Sequence, residues 1–222
     1  MLGNRRAYLT PFCEITARIL EMERFGRQVE PKEFAMFIQT EATPNPNTLK
    51  FLPGRAISPD ASHEFENAEE ASASPLAADL FVVEGVNSVF FGEDFISITK
   101  SAEADWGHIK PFLLGAIMDG LQSDRPILQT AESLSGHAAY EGEAAEVVKQ
   151  IVELIDTRVR PAVAQDGGDI LFHSFEGESG IVRLKMRGAC AGCPSSTMTL
   201  KSGIENLLKH YIPDITSVEA VE

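Results

Sequence analysis

Only 29 residues follow Cys193, the second cysteine of the run Arg187-Gly188-Ala189-Cys190-Ala191-Gly192-Cys193-Pro194-Ser195-Ser196. That position in the chain restricts the folds that can carry the pair. A thioredoxin-like domain also sets Cys-x-x-Cys between a strand and a helix, but it needs a further strand, a cis-proline turn, a hairpin and a helix afterwards. The short C-terminal remainder suffices for one helix and one short strand. The pair supplies two thiolates at the bite of one metal ion or one cluster edge. It equally matches a redox dithiol.

A closed thiolate site for zinc or a four-iron cluster needs four ligands. The chain has three cysteines, and Cys13 lies far away in an N-terminal segment. Three readings therefore stand. The pair performs dithiol–disulfide chemistry, or binds a metal with help from histidine or carboxylate, or two chains each contribute two thiolates across a symmetric contact. His173 and His210 are the nearby histidines. Neither stands at zinc-finger spacing, and a lone histidine is usually structural or solvated.

Ile181 to Arg187 alternates apolar and basic residues, the period of a half-buried strand. Val182, Leu184 and Met186 face a core, and Arg183, Lys185 and Arg187 face away. Two readings of the basic row are open: the solvated face of an edge strand, favoured for Arg183 and Lys185, or counter-charge for an anionic site, favoured for Arg187. Gly188 ends the strand. Pro194, Ser195, Ser196 and Thr197 are helix-start signals. Met198, Leu200, Ile204, Leu207, Leu208 and Tyr211 then recur at helical intervals, and Pro213 stops the helix. The motif is a strand–loop–helix junction with Cys193 at a helix N-terminus, where the dipole and Arg187 favour thiolate over thiol.

The 222 residues leave room for two small α+β domains joined by a linker. Residues 36–125 read as one unit. Phe37-Ile38 and Leu49 to Leu52 pair as strands around the turn Pro44-Asn45-Pro46-Asn47. A helix runs from Pro75 through Val83. Val86 to Phe91 and Phe95 to Thr99 form a hairpin. A last helix, Trp106 to Leu121, carries the stripe Ile109, Leu113, Ile117 and Leu121. Residues 126–142, with Ser133, Ser135, Gly136 and Gly142, read as a linker or an ordinary loop.

Residues 143–222 have the order α-β-β-α-β. A helix runs from Glu143 to about Val163, and Asp166-Gly167-Gly168-Asp169 turns the chain. Ile170 to Phe175 and Ile181 to Arg187 form a hairpin closed by Gly177-Glu178-Ser179-Gly180. Ile215 to Val221 reads as a last strand. Residues 1–35 stand apart. They carry too many acids for a transit peptide and too short an apolar run for a signal peptide. A short amphipathic helix from Cys13 to Phe34, or a start codon set upstream of Met36, accounts for them. Cys13 reads as a bystander.

The formal net charge is −14. Residues 36–125 carry five basic and fourteen acidic side chains, and residues 143–222 eight and twelve. Neither has the basic stripe that a phosphate backbone demands, so nucleic-acid binding is not expected. The balance suits solubility and an acidic docking face in the first unit. No apolar run is long enough to span a membrane. There is no Ser–His–Asp set, phosphate loop or paired-carboxylate motif. So few cysteines do not form a disulfide framework, and a reducing compartment follows: bacterial cytoplasm first, mitochondrial matrix as the alternative.

Two further motifs give the chain a family resemblance. Arg160-Pro161-Ala162-Val163-Ala164-Gln165-Asp166-Gly167-Gly168-Asp169-Ile170 resembles the RPxxxxDGGD signature of the Nfu (NifU-like) iron–sulfur proteins, and the Cys190–Cys193 run resembles their cluster loop. Thr43-Pro44-Asn45-Pro46-Asn47-Thr48-Leu49-Lys50-Phe51 resembles the TPNPNTLKF run of their N-terminal domain. The resemblance implies a non-enzymatic scaffold or carrier, which binds a 4Fe-4S cluster between two chains through Cys190 and Cys193. It implies a homodimer when the cluster is bound, upstream cluster assembly proteins as donors and apo iron–sulfur proteins as acceptors. The family places the DGGD turn near the cluster loop. A dithiol–disulfide oxidoreductase using the same two cysteines is the alternative.

Overall fold

The computed structural model describes residues 37–123, 125–128, 140, 142–191 and 194–221. They fall within one compact unit, Met36–Glu222. The N-terminal extension with Cys13, most of the 126–142 linker, and Cys193 lie outside the described residues.

The first domain is built on a five-stranded antiparallel sheet. Its strands are β1 (Gln39–Ala42), β2 (Thr48–Leu52), β3 (His63–Phe65), β4 (Val86–Phe91) and β5 (Ile96–Lys100), in the order β1-β2-β5-β4-β3. The expected turn between β1 and β2 is held by its own side chains. The Thr43 hydroxyl donates to the Asn45 and Thr48 carbonyls, and Asn45 Oδ1 accepts from the Asn47 N–H at 3.0 Å. Phe37 does not join β1. It is 76% exposed, and the ladder begins at Gln39 opposite Leu52. Leu52 is followed by Pro53, which cannot extend a ladder with an N–H.

Helix α1 (Pro75–Phe81) starts at Ser74, whose hydroxyl accepts from the Ala77 N–H. It ends two residues before the expected Val83, with Val82 exposed and Gly85 turning the chain at φ 96°. Helix α2 (Trp106–Gln122) starts at Asp105, whose carboxylate accepts from the Gly107 N–H. Its stripe Ile109, Leu113, Ile117 and Leu121 is buried, as expected, together with Leu76, Leu80, Phe51, Phe91, Ile96 and Ile98. These side chains are the core that joins both helices to the sheet.

The second domain follows the order α-β-β-α-β. A helical run comprises α3 (Glu143–Leu154), a single π-turn over Ile155–Val159, and α4 (Arg160–Gln165). Strands β6 (Gly168–Glu176) and β7 (Ile181–Gly188) pair antiparallel. Helix α5 (Pro194–Tyr211) then crosses over to β8 (Ser217–Val221), which lies parallel to β7. Such a crossover is what a parallel neighbour requires. Val148, Ile151, Ile155, Val159 and Val163 from the helical run meet Ile170, Val182, Leu184, Ile204, Leu208 and Val218 in one core.

The sheet order is β6-β7-β8, so β7 is the central strand and the edge-strand reading of its basic row is corrected. Its backbone is paired on both sides. Arg183 instead reaches across to Glu219 of β8 at 3.2 Å and to Glu176 at 3.5 Å. The last strand begins at Ser217 rather than Ile215, because Ile215 is drawn into the core by a turn onto the Ile212 carbonyl. No helix among the described residues is long and apolar enough to cross a membrane.

Candidate metal centre

Two glycine turns meet around one sulfur. The Asp166-Gly167-Gly168-Asp169 turn opens β6 and Gly188 closes β7; the two strands pair so that Gly168 stands opposite Gly188. Gly167 and Gly188 have φ of 83° and 61°, a region that glycine enters without steric cost. The Ala189 N–H donates to the Gly167 carbonyl at 3.1 Å, and the Ala191 N–H donates back to Gly188 at 3.1 Å. Cys190 sits in this fold of the chain, 6% exposed and part of the second domain's core. A methyl group added at Gly168 would lie 2.5 Å from the Cys190 sulfur. The DGGD turn and the cysteine loop, about 20 residues apart in sequence, are thus in direct contact.

Asp169 ties the turn down. Its carboxylate accepts from Arg160 Nε at 2.8 Å and Nη2 at 2.9 Å, a bidentate pair, and from its neighbour's N–H at Ile170. The Arg160 guanidinium is held above its ordinary pKa, first by the hydrogen bonds it donates to Asp169. Arg160 and Asp169 of the RPxxxxDGGD run therefore serve geometry: they fix the turn against which the thiol rests.

The thiolate expected at the helix N-terminus falls on Cys193, outside the described residues; at Cys190 the surroundings favour the thiol. Burial pushes its thiol up to about 12, and the carboxylates of Asp166, Asp169 and Glu64 add to the effect. Arg187, expected to supply counter-charge, is turned to the other domain. Its Nη1 donates to the Ser62 carbonyl at 3.4 Å, its Nε lies 4.0 Å from Glu64 Oε2, and that Nε is buried with no hydrogen-bond partner among the described residues. A raised thiol pKa stabilises the fold below the ordinary thiol value of 9.0, and this contribution is lost as pH climbs towards about 12. In the apo protein, Cys190 is expected to resist iodoacetamide at pH 8 and to become reactive only at strongly alkaline pH. Peptide mapping over a pH series checks this, and fast alkylation at pH 8 would contradict the burial.

The two histidines weighed as ligands, His173 and His210, have other neighbours. His173 shares a hydrogen bond with Ser174, and His210 stands edge-on to Tyr211. Among the described residues no cluster of three or more His, Cys, Asp or Glu side chains could hold a metal ion. Cys190 with Cys193 would bring two thiolates, half the set that a four-iron cluster takes.

The other half of the surroundings comes from the first domain, in part from its TPNPNTLKF run and in part from residues that belong to no motif. One row of directly opposed residues crosses the five-stranded sheet: Glu41, Lys50, Ser97, Phe90 and Glu64. Directly opposed residues share a face. Lys50 Nζ donates to the Ala164 and Gln165 carbonyls at the end of α4, where a cation is favoured. The Ser97 hydroxyl donates to the Gly167 carbonyl at 2.6 Å. The Phe90 ring packs on Gly188. Glu64 Oε1 accepts from the Gly188 N–H at 2.9 Å. Outside the row, Ser62 donates to Asp169 at 2.6 Å and Asn45 Nδ2 donates to the Ala191 carbonyl at 3.2 Å. Asn45 and Lys50 both belong to the TPNPNTLKF run. Burial raises the Glu64 pKa, opposed by the Gly188 hydrogen bond and by Arg187.

Sequence comparison agrees with this division. Residues 38–124 match the family model described as scaffold protein Nfu/NifU N terminal, and residues 151–219 match the NifU-like domain. The human protein called NFU1 iron-sulfur cluster scaffold homolog, mitochondrial, is 51% identical over 187 residues, which are 84% of this chain and 72% of that protein. NifU-like protein 4, mitochondrial, of Arabidopsis thaliana is 47% identical over 185 residues, 83% of this chain and 65% of that protein. The solution structure of a NifU-like protein from Saccharomyces cerevisiae aligns at 29% identity with a TM-score of 0.40, covering 43% of this chain and 86% of that one. This chain belongs to the Nfu/NifU-like family.

Proposed function

We propose that this chain is an iron–sulfur cluster scaffold or carrier. Two copies hold one 4Fe-4S cluster as cargo through Cys190 and Cys193 of each, and pass it to apo iron–sulfur proteins. Transfer is ligand exchange. An acceptor thiolate forms a bond to iron as a scaffold thiolate leaves, and no electrons need move. The observation that carries this reading is the contact of Cys190 with Gly168: the two motifs of the second domain converge on one thiol. Two ligands per chain leave the cargo half-coordinated by each copy, which suits a site built to let go. The role is non-enzymatic.

In this scheme residues 36–125 and 143–222 are the two domains, 126–142 their link and 1–35 an extension. Upstream assembly proteins are the donors. The human and Arabidopsis relatives are mitochondrial by name, which supports the mitochondrial alternative; nothing in the comparisons supports the bacterial cytoplasm.

Anaerobic reconstitution with iron and sulfide, followed by sizing, metal analysis and Mössbauer spectra, tests the reading. The expected product is a dimer carrying about four irons. Cys190→Ser and Cys193→Ser are each expected to abolish it, and Cys13→Ser to leave it intact. A monomer that takes up no iron but cycles a Cys190–Cys193 disulfide would establish the oxidoreductase instead. Cluster loss in the Cys13 variant would overturn the ligand assignment.

A further inference from the structure

We propose that Glu64 and Asn45, both in the first domain, are positioning residues for the cysteine loop of the second, and that they hold its backbone in the conformation that retains the cargo. The proposal rests on the reading of Cys190 and Cys193 as cargo ligands. It gives the first domain a task that the family motifs do not state.

The loop is gripped on both sides of Cys190. Two residues before it, the Gly188 N–H donates to Glu64. One residue after it, the Ala191 carbonyl accepts from Asn45. Between them the Ala189 N–H donates to the Gly167 carbonyl, and that carbonyl also accepts from Ser97. The backbone flanking the thiol is therefore held from both domains: Glu64 and Asn45 of the first take Gly188 and Ala191, while Gly167, Arg187 and Thr197 of the second bond Ala189 and Cys190.

The grip is prearranged by sheet register. Glu64 stands directly opposite Phe90 on β4, so both side chains share one face. Both reach the same residue: Glu64 takes the Gly188 N–H, while a Cβ at Gly188 would come within 3.0 Å of the Phe90 ring. Only glycine accepts the positive φ and the ring together. Asn45 is fixed from within its own turn. Its Oδ1 accepts from the Asn47 N–H, which leaves the amide nitrogen aimed at Ala191. Glu64 is 12% exposed and Arg187 17%, so their mutual attraction at 4.0 Å is weakly screened and adds to the hold on the strand end.

Two substitutions of one residue separate positioning from simple support. Glu64→Ala removes the acceptor for Gly188. Glu64→Gln keeps a carbonyl oxygen there and loses only the charge. Hydrogen exchange is measured on the full apo chain, and the rate at which a ferrous chelator strips iron is measured on the reconstituted protein. Glu64→Ala is expected to speed exchange over residues 188–191 about tenfold, the factor associated with one hydrogen bond to a charged acceptor. It is expected to speed iron stripping by a similar factor. Glu64→Gln is expected to fall between the parent and Glu64→Ala, about threefold above the parent in both, because a neutral acceptor keeps roughly half of the bond and the attraction to Arg187 is lost, and Asn45→Ala to follow Glu64→Ala.

Unchanged exchange and stripping in Glu64→Ala would overturn the proposal. So would faster exchange throughout both domains, since that marks a supporting residue rather than a positioning one. Localised exchange with unchanged stripping would remove the link to cargo retention. Failure of the parent protein to take up any iron would sink the cargo reading instead, and the exchange measurement would still decide whether Glu64 positions the loop.

Discussion

Asp169→Ala is expected to lower stability by about 3 kcal/mol and the melting temperature by roughly 10 °C, read by thermal or urea unfolding. The carboxylate is 8% exposed and accepts from Arg160 twice, from Ser62 and from the Ile170 N–H. Removing it leaves all of these donors short of an acceptor. Arg160 is 36% exposed, so water recovers part of its loss, and the cost falls at the lower end of the range for breaking a buried pair. Asp169→Asn retains one acceptor oxygen and is expected to cost about half as much. If Asp169→Ala melts with the parent protein, the turn does not depend on this pair and the account of the DGGD motif is wrong. Because Ser62 belongs to the first domain, the same change also loosens the domain contact.

Gly168→Ala is expected to cost about 1–3 kcal/mol and to abolish iron uptake. The added methyl would stand 2.5 Å from the Cys190 sulfur, 2.8 Å from the Arg187 carbonyl oxygen and 3.0 Å from the Cys190 nitrogen. A side chain can rotate away from such a contact; paired backbone cannot. The loop must shift, and the thiol with it. Gly203→Ala is the control, because it lies in α5 with nothing within 4 Å of the new atom. It should stabilise the helix by up to about 1 kcal/mol. Iron content after reconstitution, beside a melting curve, reads both effects. A Gly168→Ala protein that loads iron normally would show that the turn does not constrain Cys190.

The features readable in the sequence were those written within a short stretch of chain. The stripe Ile109, Leu113, Ile117 and Leu121 marked its helix, and the alternation of Ile181 to Arg187 marked its strand. The double glycine beside Asp169 marked its turn, and the Cys-x-x-Cys run marked the candidate site. Strand β3 left no trace because His63–Phe65 is too short to show a period. Glu64 was invisible with it, since its partner Gly188 lies 124 residues away. The basic row of β7 was legible as a strand face but not as a central strand. Neighbour identity depends on β8 arriving through a helix, and nothing in Arg183 or Lys185 records it. The counter-charge expected of Arg187 was misread for a related reason. Arg187 is close to Cys190 in sequence, yet its guanidinium is engaged by Glu64 and Ser62.

The π-turn over Ile155–Val159 resolves a problem of phase. Ile151, Ile155, Val159 and Val163 recur every four residues, and all are buried in one core. An ideal α-helix repeats every 3.6 residues, so strict four-residue spacing would drift about 40° per step and carry Val163 about 120° away from Ile151. A turn closed by i→i+5 bonds is wider and advances less per residue. It works as a vernier, cancelling the drift and bringing the stripe back into line just before Pro161. The same adjustment presents Arg160 to Asp169, so the angular setting of this helical run decides whether the anchor of the Cys190 loop finds its mate.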